Sequence, residues 1–398
     1  MEQLIEKFRK KIASTQIEFV RNIITQINWE ARLIGIKGSR GVGKTTLLLQ
    51  YIKLKLTSEL NMTLYVSLDN IWFSDHKLVD LVDEFVKKGG KYLFLDEVHK
   101  YPNWSIEIKN IYDDYPELKV VFTGASLLEI LNSRADLSRR AVVYFMPGLS
   151  FREYLNIELK TDFKTYSLSE IINTHDIIAQ EVVAKIKPLQ HFSTYLQSGY
   201  YPFYKELPEL YHSRLEEVIN MILEIELAQL RNVSVAYIPK LKQLLYIIAE
   251  SAPFIPNISK LSERIGVNRE TLLGYLYYMN EAHLIFSTYK DAKGITVLQK
   301  PDKIYLENTN IMYALQGSFV NNGNARETFF ANQIRFKHLI EISKVSDFLV
   351  DSKYTFEIGG KAKNNNQIKD VEDAYIAADD IEYGFGNKIP LWLFGFLY

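Results

Sequence analysis

The chain contains no cysteine among its 398 residues. That absence excludes disulfides, cysteine-ligated zinc and thiol catalysis, and it fits a reducing compartment, so the expected location is cytoplasmic. An excess of charge of one sign is missing as well: 47 Lys and Arg stand against 48 Asp and Glu, for a net charge of −1. A globally basic nucleic-acid coat and an acidic solvating tail are both excluded. No apolar run approaches the roughly 18 residues that a membrane span needs, so no membrane partner is expected. The opening segment, MEQLIEKFRKKIASTQIEFV, is charged and amphipathic rather than a signal peptide. Internal repeats and low-complexity segments are also absent.

What the chain does have is apolar bulk. With 22 Phe, 26 Tyr, 4 Trp and 47% hydrophobic residues, it can build sizeable cores. At about 150 residues per domain, the length predicts two to three domains.

Over the first 155 residues, apolar strands (33–37, 63–68, 92–96, 120–123 and 141–145) alternate with amphipathic runs such as 46–56 and 78–87. Strands separated by helical runs predict a parallel α/β sheet with helices on both faces. From 151 to 239 the strand signals fade, and stretches such as 215–230 read as helices. Residues 258–265, a turn at Gly266, and 268–279 with Asn268 as N-cap make a helix–turn–helix pattern. The runs 284–289 and 295–299 around a turn at 291–294 add a hairpin, which together describe a winged helix. The last 95 residues predict a helix at 326–340 and strands at 347–350, 354–358 and 391–396.

The segment Gly38-Ser39-Arg40-Gly41-Val42-Gly43-Lys44-Thr45 fits G-x-x-x-x-G-K-[ST], the Walker A form of a phosphate-binding P-loop. Glycines let successive N–H groups turn inward at the start of the following helix, which makes an anion cradle that continues into Thr46. The Lys44 ammonium is suited to the β- and γ-phosphates of ATP, and the Thr45 hydroxyl to Mg²⁺. An apolar strand precedes the motif and a helix-forming run follows it, the context the motif requires.

About 50 residues on, Tyr92-Leu93-Phe94-Leu95-Asp96-Glu97 is an apolar strand ending in two carboxylates, the Walker B form. Asp96 is the expected metal-side acid and Glu97 the residue that polarises the attacking water. Consecutive residues at a strand end point to different sides, so two roles fit two neighbours. The buried run 120–126 ends in Thr123 and Ser126, candidates for contact with the γ-phosphate and lytic water; a helix cap is the alternative for Thr123. Among Arg134, Arg139 and Arg140, Arg140 is the candidate to stabilise charge on the transferred phosphoryl group, in its own subunit or across an oligomer interface. His99 and Trp104, in HKYPNW, read as packing or supporting groups.

The segments GSRGVGKTTL, YLFLDEVHKYPNW, VVFTGAS and RRAVVYFMPGLSFREYL together resemble prokaryotic AAA+-type P-loop ATPases related to the archaeal ATPase and STAND groups. The likeness continues through QSGYYPFY and RETFFANQI to IPLWLFGFLY, and so covers essentially the whole chain. It implies an ATPase core (1–155), a helical lid (156–239), a winged helix (240–303) and a C-terminal α+β domain of restriction-endonuclease-like type and unknown function (304–398). It also implies ATP binding with presumed ATPase activity, without naming a client.

In nucleases of that type an Asp and an E-x-K pair meet around Mg²⁺. Asp347 and Glu357 suit the carboxylates, with Glu327 as a third acid, but the lysine position is Gly359. Lys361 has the right parity but follows two glycines, so the expectation is a degenerate, inactive domain. The winged-helix segment carries a mild net charge of +3 and the last segment −3, and the recognition helix offers only Arg269 as a reading cation. Only weak, salt-sensitive DNA binding is expected there, with partner binding at least as plausible. The reading is therefore a Mg²⁺-dependent ATPase acting as a nucleotide-driven switch, with an unidentified protein client and room for homo-oligomers. Its rivals are a non-hydrolysing ATP sensor, an ATP-regulated nuclease and a DNA-binding regulator.

Overall fold

Short β-rich runs ending in polar residues recur between amphipathic helices along the first 148 residues, and they fold as that pattern dictates. The computed structural model describes residues 1–124, 137, 139–227, 235–289 and 300–398. The chain divides into two units, Met1–Gly148 and Leu149–Tyr398.

In the first unit, helix α1 (Glu2–Ser14) precedes strand β1 (Leu33–Lys37) and helix α2 (Lys44–Lys55). These are followed by β2 (Thr63–Ser67), α3 (Leu78–Lys87), β3 (Tyr92–Asp96), α4 (Trp104–Asp114), β4 (Lys119–Gly124) and β5 (Val142–Phe145). The five strands form one parallel sheet in the order β2-β3-β4-β1-β5. Parallel strands need crossovers, which the intervening helices supply. Leu33, Leu93, Leu95, Val120 and Phe122 pack with Leu81 and Phe85 of α3 and Ile108 and Ile111 of α4 in one buried cluster. Trp104 lies in that cluster, tilted against Phe122 at 5.6 Å between ring centroids, so it is a packing residue.

In the second unit, helices Phe151–Leu159, Leu168–Val183, Pro188–Ser198 and Tyr211–Met221 follow one another. The expected helix at 215–230 begins earlier, at Tyr211, and continues as a π-helical turn, Ile222–Glu226; residues 228–234 lie outside the described residues. Helix Ile258–Ile265 stops at Gly266, whose φ is +71°, and helix Arg269–Glu281 starts with the Asn268 side chain accepting from the Thr271 N–H. Strand β6 (Ile285–Thr288) then pairs antiparallel with β7 (Lys303–Leu306). The return strand expected at 295–299 lies outside the described residues, and the ladder seen is with the later segment.

After helix Thr309–Gln316 comes helix Asn322–Ile334, which starts earlier than expected because Asn321 caps the N–H groups of Gly323 and Asn324, and which also ends earlier, at Ile334. A second five-stranded sheet has the order β12-β11-β10-β9-β8, with β8 (Ile340–Ile342), β9 (Phe348–Val350), β10 (Tyr354–Gly359), β11 (Ala374–Ala378) and β12 (Lys388–Pro390). The strand expected at 391–396 is instead a 3-10 helix, Leu391–Phe396. All six residues are buried, and a short apolar run buried on every side carries no period that separates strand from helix.

Among the described residues no helix is long and apolar enough to cross a membrane.

Candidate nucleotide site

The phosphate loop connects β1 to α2 at the C-terminal edge of the sheet. Gly38 opens it under tight constraint: a Cβ there would lie 2.3 Å from the Met146 carbonyl oxygen, so only glycine fits. Gly43 sits at φ +96° as the N-cap of α2, a left-handed conformation that disfavours any other residue. Between them, Ser39 and Val42 are buried, Arg40 is half-buried and Gly41 is exposed. Lys44 is buried, and its Nζ donates to the Gly38 and Ser39 carbonyl oxygens at 2.9 and 3.0 Å, folded over the loop it belongs to. Thr45 and Thr46 lie in the first turn of α2, where the helix dipole favours an anion.

Asp96, buried at the end of β3, gathers the polar groups around this loop. Thr45 Oγ1 donates to Asp96 Oδ2 at 2.6 Å, and the Tyr65 phenol donates to the same oxygen at 2.7 Å. Thr123 Oγ1 donates to Asp96 Oδ1 and accepts from the Glu97 N–H at 3.2 Å. Burial, and then the Asp96 charge, push the Tyr65 phenol well above its usual range, so it stays a donor.

Glu97 itself holds φ +52°, ψ +42°, left-handed angles that cost a non-glycine residue energy and gather at functional sites. Burial raises its carboxyl above the ordinary range, against the pull of the Lys44 ammonium. His99 Nε2 lies 3.5 Å from Glu97 Oε2. Burial, with Lys100, Lys44 and Arg40 nearby, lowers the His99 imidazole to about 3, so it stays neutral at physiological pH.

Four of the residues singled out in the sequence, Lys44, Thr45, Asp96 and Thr123, are therefore joined by hydrogen bonds to one another or to the loop, with Glu97 attached through its backbone. Arg140 is not among them. It stands two residues before β5, and Val142 pairs with Ile34 near the start of β1, whereas the phosphate loop leaves the far end of β1 after Lys37. The parallel register puts Arg140 at the opposite edge of the sheet, where it grips Asp113 at two points, each 2.9 Å. A role for Arg140 at its own phosphate loop is thereby corrected. Arg139 is exposed, and Arg134 and Ser126 lie outside the described residues.

The Asp96 carboxylate and the Thr45 hydroxyl are hard oxygen donors, the set that suits Mg²⁺, an ion that keeps most of its coordination for water and phosphate. Two residues escaped the sequence reading. Tyr65 reaches Asp96 from the neighbouring strand, and buried Arg21 donates to the Val42 carbonyl inside the loop. No local pattern marks either one.

Residues 30–155 match the AAA domain family. This segment is an AAA+ P-loop domain. The AAA domain has the fold of nucleotide-binding ATPases. Downstream of it, residues 189–322 match a domain of unknown function, DUF8612. The chain is 27% identical over 292 residues to the uncharacterized protein MJ1637 of Methanocaldococcus jannaschii, a match covering 70% of this chain and 61% of that relative's length. Among solved structures, the Orc1 protein of Aeropyrum pernix in complex with DNA aligns over 80% of this chain and 92% of its own, at 13% identity and TM-score 0.33. AMPPCP-bound DnaA of Aquifex aeolicus aligns over 69% and 86% respectively, at 14% identity and TM-score 0.25.

The C-terminal acids are also brought into register. Asp347 accepts from the Ile358 N–H at 2.8 Å, and burial together with the Glu327 and Glu357 charges raises its carboxyl to about 6. Glu327 is paired with Lys303 at 2.6 Å, and Glu357 with Lys363. The stem of Lys363 crosses Gly359, where a Cβ would lie 2.7 Å from it. Lys361 does not take that place among the contacts seen; its carbonyl accepts from Lys388 Nζ at 2.6 Å. Among the described residues, no group of three or more His, Asp or Glu is arranged to hold a metal ion. In the helix–turn–helix, Arg269 is exposed while Leu272, Leu273, Tyr275, Leu276 and Met279 are buried.

Proposed function

We propose that the protein is a Mg²⁺-dependent ATPase that works as a nucleotide-driven switch. The observation that carries this reading is the hydrogen-bonded set Thr45–Asp96–Thr123 at the mouth of the phosphate loop, with strained Glu97 beside it.

In this reading the loop N–H groups and the N-terminus of α2 hold the phosphates, and Lys44 trades its loop carbonyls for phosphate oxygens. Thr45 and Asp96 would hold Mg²⁺, which supplies charge neutralisation on the β- and γ-phosphates. Glu97, kept near Thr123 by its backbone, orients and deprotonates the attacking water. Thr123 ties the water-activating residue to the metal-side acid. Movement of this set on hydrolysis would be passed along the chain to the lid (156–239), the winged helix (240–303) and the C-terminal domain (304–398), and so to a protein client.

The test is direct. Mg·ATP should raise the melting temperature and be turned over to ADP, and Glu97→Gln should bind ATP but stall. An unchanged melting temperature together with no turnover would sink the reading. Binding without turnover, and with Glu97→Gln behaving as wild type, would point to a non-hydrolysing sensor.

One observation favours a second reading for the C-terminal domain, a metal-dependent nuclease. Lys363 reaches Glu357 across Gly359 and supplies the lysine that the strand lacks. Plasmid incubated with Mg²⁺ or Mn²⁺ decides this. Nicking that disappears in Glu357→Ala supports the reading, and no metal-dependent nicking removes it.

A further inference from the structure

Arg21, with only 6% of its surface exposed, lies where the chain has no apolar reason to bury a guanidinium. An arginine remains charged at any physiological pH and presents donors in a rigid fork. Nη1 donates to the Val42 carbonyl at 2.9 Å, and Nη2 donates to the Pro147 and Gly148 carbonyls at 2.8 and 2.9 Å. Val42 lies within the phosphate loop, while Pro147 and Gly148 follow β5 and are the last residues of the first unit.

The consequence follows from peptide geometry. In a trans peptide the carbonyl and the next N–H point in opposite directions. Holding the Val42 carbonyl therefore fixes the direction of the Gly43 N–H, one of the donors at the head of α2. The loop is held to the same segment at its other end. The Met146 N–H donates to the Lys37 carbonyl at 2.7 Å, and Gly38 abuts the Met146 carbonyl. Residues 146–148 thus brace the loop at its first glycine directly and at Val42 through one guanidinium.

We propose that Arg21 is a positioning residue for the nucleotide: it sets the Val42–Gly43 peptide plane and makes the order of the phosphate loop and of Pro147–Gly148 interdependent. The inference rests on the ATP-binding reading above. A guanidinium that only satisfied three carbonyls would affect folding and leave the affinity of folded molecules unchanged.

The experiment uses the full chain as wild type, Arg21→Lys and Arg21→Gln, with Lys44→Ala as a non-binding reference. Affinity for a fluorescent ATP analogue is titrated, and amide exchange is followed in peptides spanning 38–45, 142–148 and 78–87. Both Arg21 variants should bind the analogue about tenfold more weakly, the scale of one lost charge-assisted hydrogen bond, with Lys losing less than Gln. Without nucleotide they should exchange faster in 38–45 and 142–148 but not in 78–87. Unchanged affinity in folded variants overturns the proposal, as does faster exchange spread evenly over all three peptides. If neither variant folds, wild type alone decides: ATP should protect 142–148 together with 38–45, and protection confined to 38–45 overturns it. Wild type that binds no nucleotide refutes the ATP reading instead, while the exchange measured without nucleotide still reads the Arg21 brace.

Discussion

Thr45 Oγ1 donates to Asp96 Oδ2 at 2.6 Å, joining the first turn of α2 to the end of β3 across 51 residues of chain. The pair gives the site a hydroxyl and a carboxylate side by side. Asp96→Asn keeps the shape but removes the charge that a divalent cation needs. Turnover of Mg·ATP should fall by about 100-fold or more, while Mg²⁺-free nucleotide binding is largely retained. A coupled phosphate-release assay and a titration without magnesium check both halves.

Glu97 combines a chemical role with a costly backbone conformation, φ +52°. Glu97→Gln should bind nucleotide and lose hydrolysis. Glu97→Gly should also lose hydrolysis but unfold at higher denaturant than Glu97→Ala, by about 1 kcal/mol, because only glycine adopts these angles freely. Equal stability of the Gly and Ala variants would mean that no strain is held there.

Arg140 is spent on Asp113 at the edge of the sheet remote from the loop. Arg140→Ala should leave turnover of monomeric protein unchanged, and the lost surface ion pair should matter little to stability. A large loss of turnover that appears only at concentrations where the protein self-associates would instead assign Arg140 to a neighbouring copy's site.

Asp347 predicts a pH dependence of stability. Its folded carboxyl titrates at about 6, whereas an unfolded aspartate titrates at about 3.9, so the folded state holds the proton more tightly. The contribution is fully present below about pH 4 and is lost as pH rises through about 6, a change of up to about 3 kcal/mol. Asp347→Asn should flatten that slope and stabilise the protein at pH 7. Denaturant unfolding at pH 5 and pH 7 measures it, and parallel changes in the two proteins would contradict the assignment.

The sequence carried the parts whose cause is local. Helix α3, the strands β1 and β3, and the Gly266 and Asn268 boundaries all follow from period, capping and glycine conformation. So did the loop residues from Gly38 to Thr45, because backbone geometry at a phosphate dictates both spacing and residue type. What escaped was non-local. Strands β8 and β12 are too short to show a period, and β11 and β12 join the second sheet by parallel pairing with β10 and β11 across intervening loops. The Leu391–Phe396 helix is set by burial on all sides, which hides its period. Tyr65 and Arg21 act through contacts 31 and 21 residues away, the second of them to a carbonyl that any residue could offer.

Lys363 makes the same point about reach in a form that affects how such chains are searched. A lysine on a strand is aimed by the pleat, two residues from its acid. Lys363 is carried by the loop after β10 and arrives on four methylenes over a glycine. A spacing rule scores this chain as lacking the residue, although its ammonium is in contact with Glu357. Gly359 supplies the clearance that the longer route requires, since a Cβ there would meet the Lys363 stem. A pattern written as acid, glycine two later and lysine six later would retrieve chains that use this route and would miss those that do not.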